Sequence, residues 1–226
     1  LQDRSGVVWV GTAGGGLNRY DPESGGFYRY QNDPFDPLSL SNDVVQTLFE
    51  ERSGILWIGT FGGGANFFDR QKAKFFHVRR VLGQQGSLND PIVWSFMYDQ
   101  QGNFWVGTTT GGINRLDANA GGFRYYLNDP ADAASLSSNQ VWRVYEDRQH
   151  TLWIGTGAGL DRYDPRTDSF EHFPMAAVFT IFEASDGGFW LGTLAGLNRM
   201  DRETGEIQTF VNVPGNPNSL SGNFVT

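Results

Sequence analysis

Trp57-Ile58-Gly59-Thr60, followed by Phe61-Gly62-Gly63-Gly64, decides the fold of this chain because the sequence repeats it. Trp9-Val10-Gly11-Thr12, Trp105-Val106-Gly107-Thr108, Trp153-Ile154-Gly155-Thr156 and Trp190-Leu191-Gly192-Thr193 are its copies, with successive tryptophans 48, 48, 48 and 37 residues apart. A fixed period in this range marks a repeat architecture. Five copies in 226 residues predict one object built by repetition, a single domain over 1–226.

Around Trp57 the unit holds four short apolar runs. Val44 to Phe49 is rich in β-branched and aromatic residues and too short for a globular helix. Ile55 to Gly59 follows Glu51-Arg52-Ser53-Gly54, a hairpin signal whose glycine can take positive φ. After the glycine cluster come Ala65 to Asp69, a turn from Arg70 to Lys74, and Phe75 to Val78. Four antiparallel strands with a tryptophan at a fixed place predict an all-β fold, a β-propeller of four-stranded blades. Such a sheet cannot bury both faces alone, so blades stack. Trp9, Trp57, Trp105, Trp153 and Trp190 are the predicted wedges between neighbours, all five expected to be buried, with the adjacent threonine satisfying a buried partner.

The other copies keep the register. The third run reads Leu17-Asn18-Arg19-Tyr20-Asp21, Ile113-Asn114-Arg115-Leu116-Asp117, Leu160-Asp161-Arg162-Tyr163-Asp164 and Leu197-Asn198-Arg199-Met200-Asp201. A polar connection joins one unit to the next, as in Asn32-Asp33-Pro34 through Ser39-Leu40-Ser41; the fourth unit lacks it, which explains the spacing of 37. Leu1 to Gly6 aligns with Phe49 to Gly54, and Asn223 to Thr226 supplies the start of a first strand. Five blade-equivalents therefore either close a ring or form part of a larger propeller.

Composition narrows the function classes. A net charge of −8 repels phosphate backbones and anionic lipid, so nucleic acid is a poor partner. No run approaches the ~18 apolar residues that span a bilayer, so no direct membrane insertion by this segment is expected. With no cysteine, disulfides and thiolate chemistry are excluded.

Ser-Leu-Ser, a Val-led strand, an acid six residues before Trp, Gly three before it, Trp-Ile-Gly-Thr, a glycine pair, Leu-Asn-Arg-Tyr-Asp and a late Phe together resemble the two-component regulator propeller repeat. The resemblance covers essentially the whole chain. It implies an extracytoplasmic sensor portion, periplasmic or extracellular, of a membrane-anchored bacterial hybrid histidine kinase, with many relatives responding to carbohydrates. It also implies rings that usually exceed five blades. Departures from the repeat include His150, where Gly6, Gly54, Gly102 and Gly187 stand, and Ala184, where Asp3, Glu51, Asp99 and Asp147 stand. Both read as drift in turns.

Catalytic signals are weak. The spacing from acid to Trp resembles the Asp-box hairpin of sialidase-type propellers, in which the carboxylate holds backbone N–H groups, so Asp3, Glu51, Asp99 and Asp147 are expected to be structural. His77 and His172 share a place on the outermost strand and His150 sits in a hairpin, so no metal site and no cofactor are expected. The glycine clusters precede strands and lack Gly-Lys-Ser/Thr, which argues against a phosphate loop. Positions that vary while their neighbours hold are better candidates. Trp94 and Trp142, the two tryptophans outside the repeat motif, lie on first strands nearest the axis. With Arg143, Asn42, Asn89, Asn139 and Gln140 they would suit stacking on a sugar ring and bonding to its hydroxyls. The bland alternative is that both indoles fill inter-blade core, and Asp43 and Asp90 simply cap turns.

The sequence thus predicts a non-enzymatic sensor binding a small molecule or oligosaccharide at the axial face, signalling through packing or dimerisation of the parent receptor. A propeller lyase or glycoside hydrolase, and a protein-interaction scaffold, are the alternatives.

Overall fold

The computed structural model describes residues 1–70, 72–117, 121–202 and 204–226, and its regular structure is all strand. β1 (Trp9–Gly11), β2 (Leu17–Asp21) and β3 (Gly26–Tyr30) form a three-stranded sheet. Four four-stranded sheets follow: β4 (Val45–Glu50) to β7 (Lys74–Val78), through β5 (Leu56–Thr60) and β6 (Ala65–Asp69); and β8 (Val93–Tyr98), β9 (Phe104–Thr108), β10 (Ile113–Asp117), β11 (Gly122–Tyr126). Next are β12 (Val141–Glu146), β13 (Leu152–Thr156), β14 (Gly159–Asp164), β15 (Ser169–Pro174), and finally β16 (Val178–Glu183), β17 (Phe189–Thr193), β18 (Gly196–Met200), β19 (Ile207–Phe210). Each sheet is an antiparallel meander of consecutive strands, as expected of a blade. The chain divides into two compact units, Leu1–Tyr125 and Tyr126–Thr226.

The expected strands around Trp57 are met to within a residue. In the turn before β7, Gln71 lies outside the described residues. In the first blade Leu1 takes the ladder place that Phe49 takes opposite Trp57: its ammonium donates to the Trp9 carbonyl (3.0 Å) and Trp9 N–H donates to its carbonyl (2.8 Å). Val225 N–H donates to the Thr193 carbonyl at 3.0 Å, as Val45 N–H does to that of Thr12.

In four of the five hairpins an acid bonds the tryptophan that follows it. Asp3 Oδ1 accepts from the N–H groups of Ser5 (3.0 Å) and Val7 (2.9 Å), and Oδ2 accepts from Trp9 Nε1 at 2.8 Å. Asp99 and Asp147 hold Trp105 and Trp153 the same way, at 2.8 and 2.9 Å, and Glu51 holds Trp57 at 3.1 Å. Burial alone would raise the pKa of Asp3, but the bonds from Ser5, Trp9 and Val7 and the charge of Arg70 outweigh it and leave it lowered. The acid therefore satisfies the turn and the indole N–H together, a double role that the spacing alone did not disclose. His150 takes φ 65° in this turn, where Gly54 has φ 89°, and Asp147 still closes the hairpin.

The threonine after each Trp also finds its partner. Thr60 Oγ1 donates to the Gly64 carbonyl (2.8 Å), and the other four repeat the bond to Gly16, Gly112, Gly159 and Gly196. Gly64 has φ 76°, and a Cβ there would lie 2.6 Å from the Val78 carbonyl.

Blades pack through these tryptophans. In the first unit Trp57 lies 4.5 Å from Phe104 and 6.0 Å from Phe96, and Trp9 lies 5.6 Å from Phe68. In the second, Trp153 lies 5.0 Å from Phe189. Arginines clamp the same junctions. Arg70 bridges Asp3 of the preceding blade (3.1 Å) and Glu50 of its own (2.9 Å); Arg202 bridges Asp147 (3.2 Å) and Glu183 (3.1 Å) likewise. Leu40, Leu88 and Leu136, the centres of the connecting motifs, are fully buried.

One expectation fails. Trp9, Trp57, Trp105 and Trp153 are buried, but Trp190 is only half-buried. Ala184 offers its indole no carboxylate. Its ring instead meets Phe210 and Arg199 of its own sheet, at 5.6 and 5.9 Å. A half-wet indole can bond water, so the missing acid leaves no buried donor stranded.

Candidate functional site

In each four-stranded sheet the pairing of the first strand with the second slips by one residue at one place. The register shifts between Val45 and Thr47, Val93 and Ser95, Val141 and Arg143, and Val178 and Thr180. Gln46, Trp94, Trp142 and Phe179 are therefore the extra residues of four β-bulges, and all four are half-buried. A bulge leaves its residue out of the ladder and re-aims its side chain, a device common beside binding sites. Trp94 and Trp142 stand out in the sequence as varying positions on first strands, but nothing in it marks the bulge.

In the second unit the bulges build a continuous aromatic row. Trp142 lies 5.2 Å from Phe179, and Phe179 lies 5.3 Å from Phe224, which is 65% exposed. Arg143 follows Trp142 and is exposed, although crowding by surrounding protein desolvates its guanidinium enough to lower its pKa. In the first unit Trp94 Nε1 donates to Thr109 Oγ1 at 2.7 Å.

The amides have structural work. Asn42 Oδ1 accepts from Val44 N–H (2.8 Å), Asn139 Oδ1 from Asn128 N–H (2.8 Å), and Asn89 Nδ2 donates to the Gly111 carbonyl (2.7 Å). Gln140 contributes its backbone carbonyl, which accepts from Gly157 N–H at 2.9 Å. Asp43 and Asp90 cap as expected: Asp43 accepts from Asn32 N–H (2.7 Å), and Asp90 from Ile92 and Thr110 N–H, both 2.7 Å.

A position that the sequence had shown only as part of the register stands apart. Asp161, where the other blades carry Asn18, Asn66, Asn114 and Asn198, is fully buried. Its Oδ2 accepts from Ser137 N–H at 2.8 Å and its Oδ1 has no partner. His172 faces it across the β14–β15 ladder. Burial raises the Asp161 pKa, against the lowering effects of the Ser137 bonds and of His172. A raised folded pKa means that stability is fullest below the unfolded value and is lost as pH rises through the folded one. Asp161→Asn is therefore expected to match wild type near pH 4 and to exceed it by roughly 1–3 kcal/mol at neutral pH. Urea unfolding across that range checks this; a constant difference between the two proteins would refute it.

Among the described residues no group of three or more His, Cys, Asp or Glu could hold a metal ion, and no helix is long and apolar enough to cross a membrane. His77 and His172 lie on the edge strands β7 and β15, each donating from Nε2 to a connection carbonyl, Ser39 or Ser135, at 2.7 Å.

These features define a protein of propeller-type blades with aromatic residues bulged from three of their first strands. The two component regulator propeller family model matches residues 39–62, 87–110 and 135–158, so three segments of the chain are similar to that repeat. Its structure is similar to the extracellular domain of the putative hybrid two component system BT3049 from B. thetaiotaomicron, with TM-score 0.81 and 25% identity over 96% of this chain and 28% of that one. It is also similar to the corresponding domain of BT4673 from the same organism, with TM-score 0.75 and 22% identity over 96% of this chain and 31% of that one. The chain thus spans about 30% of these domains. A virginiamycin B lyase from Staphylococcus aureus shares the fold, with TM-score 0.66 and 14% identity over 92% of this chain and 67% of that one. Among curated protein sequences, none matches.

Proposed function

We propose that this chain is a non-catalytic, extracytoplasmic ligand-sensing propeller segment of a membrane-anchored two-component receptor, and that its ligand is a carbohydrate. Its five blades, closed as a ring or continued by further blades, act as one sensing body, and binding biases the packing or dimerisation of the parent receptor. The observation that carries the ligand class is the row Trp142, Phe179 and Phe224 beside Arg143. Adjacent ring faces can stack on the apolar face of a sugar while the guanidinium bonds its hydroxyls. Trp94 offers a second indole of the same origin in the first unit. The family match and the likeness to extracellular sensor domains support the receptor setting.

Titration with a diverse oligosaccharide panel, read by intrinsic tryptophan fluorescence and by calorimetry, tests this. Saturable binding is expected, weakened at least tenfold, or about 1.4 kcal/mol, in a folded Trp142→Ala variant. Binding indifferent to that change, or none, would overturn the site; turnover of a bound sugar would overturn the non-catalytic reading.

A further inference from the structure

Pro174 ends β15 and Val178 begins β16, so the connection that precedes the second, third and fourth blades is missing before the fifth. Where it is present, that connection lies along the outer strand of the blade that follows it. Phe75, Phe123 and Phe170 N–H donate to the carbonyls of Leu38, Gly86 and Ala134 at 2.9, 2.8 and 2.9 Å. Two residues further along, His77 Nε2, Tyr125 Oη and His172 Nε2 donate to the carbonyls of Ser39, Ser87 and Ser135 at 2.7, 2.5 and 2.7 Å. The edges of β7, β11 and β15 are thereby covered, and Phe75 and Phe170 are buried.

The outer strand of the fifth blade, β19, has no such cover. Ile207 stands where Phe75, Phe123 and Phe170 stand and is 40% exposed, and Thr209, which stands where the three rings do, is exposed as well. Asp201 N–H donates to the Glu206 carbonyl at 2.9 Å, and Arg199 pairs with Gln208. Antiparallel bonds alternate along a strand, so Glu206 and Gln208 turn their backbone groups to β18 while Ile207 and Thr209 turn theirs outward. Among the described residues nothing meets those outward N–H and carbonyl groups. Such an edge is a template for another strand, and Ile207-Gln208-Thr209-Phe210 carries no proline or charge to blunt it.

The central residue selects the strand that fits. Gln208 stands where the third and fourth blades carry Arg124 and Glu171. Two copies of either of those strands, paired antiparallel about that residue, would set like charges opposite each other, which destabilises a pair. Gln208 instead sets a neutral carboxamide opposite itself, with donor and acceptor for its counterpart. In that register Ile207 lies opposite the second copy's Thr209, so the two strands exchange four backbone bonds, and Glu206 lies opposite Phe210.

We propose that β19 pairs with β19 of a second copy of this chain, antiparallel and two-fold about Gln208, joining two fifth blades into one eight-stranded sheet. The contact is small against the roughly 1,200 Å² of a stable complex, so it is weak in free solution and strengthened where two chains are tethered side by side. It gives a place to the dimerisation invoked above and rests on that reading only for its part in signalling.

The test is sedimentation velocity of the whole chain without ligand, at concentrations up to millimolar. A monomer–dimer equilibrium is expected. Thr209→Pro removes an outward N–H that the β18–β19 ladder does not use, so it should keep the wild-type Tm and weaken dimerisation at least tenfold. Sugar binding by that variant should match wild type, so failure of the interface and failure of the aromatic row are read separately. The chain has no cysteine, so Gln208→Cys places its thiol alone on the two-fold axis. Mild oxidation should then give a covalent dimer at least tenfold faster than in Asn218→Cys, a control in an exposed loop. A monomer at every concentration, a dimer indifferent to Thr209→Pro, or equal oxidation rates of the two cysteine variants would overturn the proposal.

Discussion

Replacing Gly59 with alanine is expected to cost about 3 kcal/mol, the upper end for overpacking a core, and to lower Tm by roughly 6–12 °C. Gly59 has no positive φ, so the effect is one of space. A Cβ there would stand 2.6 Å from Thr47 Cγ2, 2.9 Å from Val93 Cγ1 and 3.0 Å from the Val93 carbonyl oxygen. The last two belong to the next blade, and the carbonyl is backbone that cannot rotate away. Gly54→Ala is the matched control. There φ is +89° and nothing lies within 4 Å, so only the left-handed conformation is penalised, by about 1–2 kcal/mol. Thermal and urea unfolding of the two variants checks the ranking. If Gly59→Ala cost no more than Gly54→Ala, close approach of blades through this glycine would be wrong. The equivalents make the same argument: a Cβ on Gly11 would meet Val45 Cγ1 at 2.5 Å, and one on Gly155 would meet the Val178 carbonyl at 2.6 Å.

Asp147→Ala is expected to cost roughly 3–5 kcal/mol, the range for removing one partner of a buried ion pair, and to lower Tm by about 6–20 °C. The carboxylate accepts from Gln149 and Thr151 N–H, both at 2.9 Å, and from Trp153 Nε1, and it also meets Arg202 Nη1 at 3.2 Å. Its loss leaves two turn amides and a buried indole donor unpaired and removes one of the two carboxylates that hold Arg202. Asp147→Asn keeps an acceptor and loses the charge, so it should cost less. Hydrogen exchange at Thr151 and Trp153 Nε1 should accelerate in the alanine variant. A loss under about 1 kcal/mol would show that the box does not hold the blade. Blade five shows how the fold manages without the acid: Ala184 stands in its place, the turn still closes through Gly187 N–H to the Ala184 carbonyl at 3.0 Å, and Trp190 stays half in solvent.

Much of this was legible because repetition turns single residues into measurements of one position made five times. The strands around Trp57, the turn glycines, the structural acids, the edge placement of His77 and His172 and the missing connection after Pro174 all follow from local chemistry that recurs. Trp190 escapes the same logic because the repeat is not uniform: Ala184 removes the acid, and the indole that it would hold stays half in solvent. Asn42, Asn89 and Asn139 have the chemistry of a binding site, but each bonds its own loop or the neighbouring one.

What the sequence determined by itself is the unit: four strands, their turns, and the alternation of apolar and polar residues that makes one sheet need another. These depend on contacts a few residues apart, which period and turn chemistry encode directly. Only the tertiary structure decided the bulges that turn Trp142 and Phe179 into one row with Phe224, the Arg70 and Arg202 clamps, and the stranded acceptor of Asp161. Each depends on which groups meet across strands and blades, and on which atoms are cut off from water once they do. A list of residues, however regular, does not contain that distance.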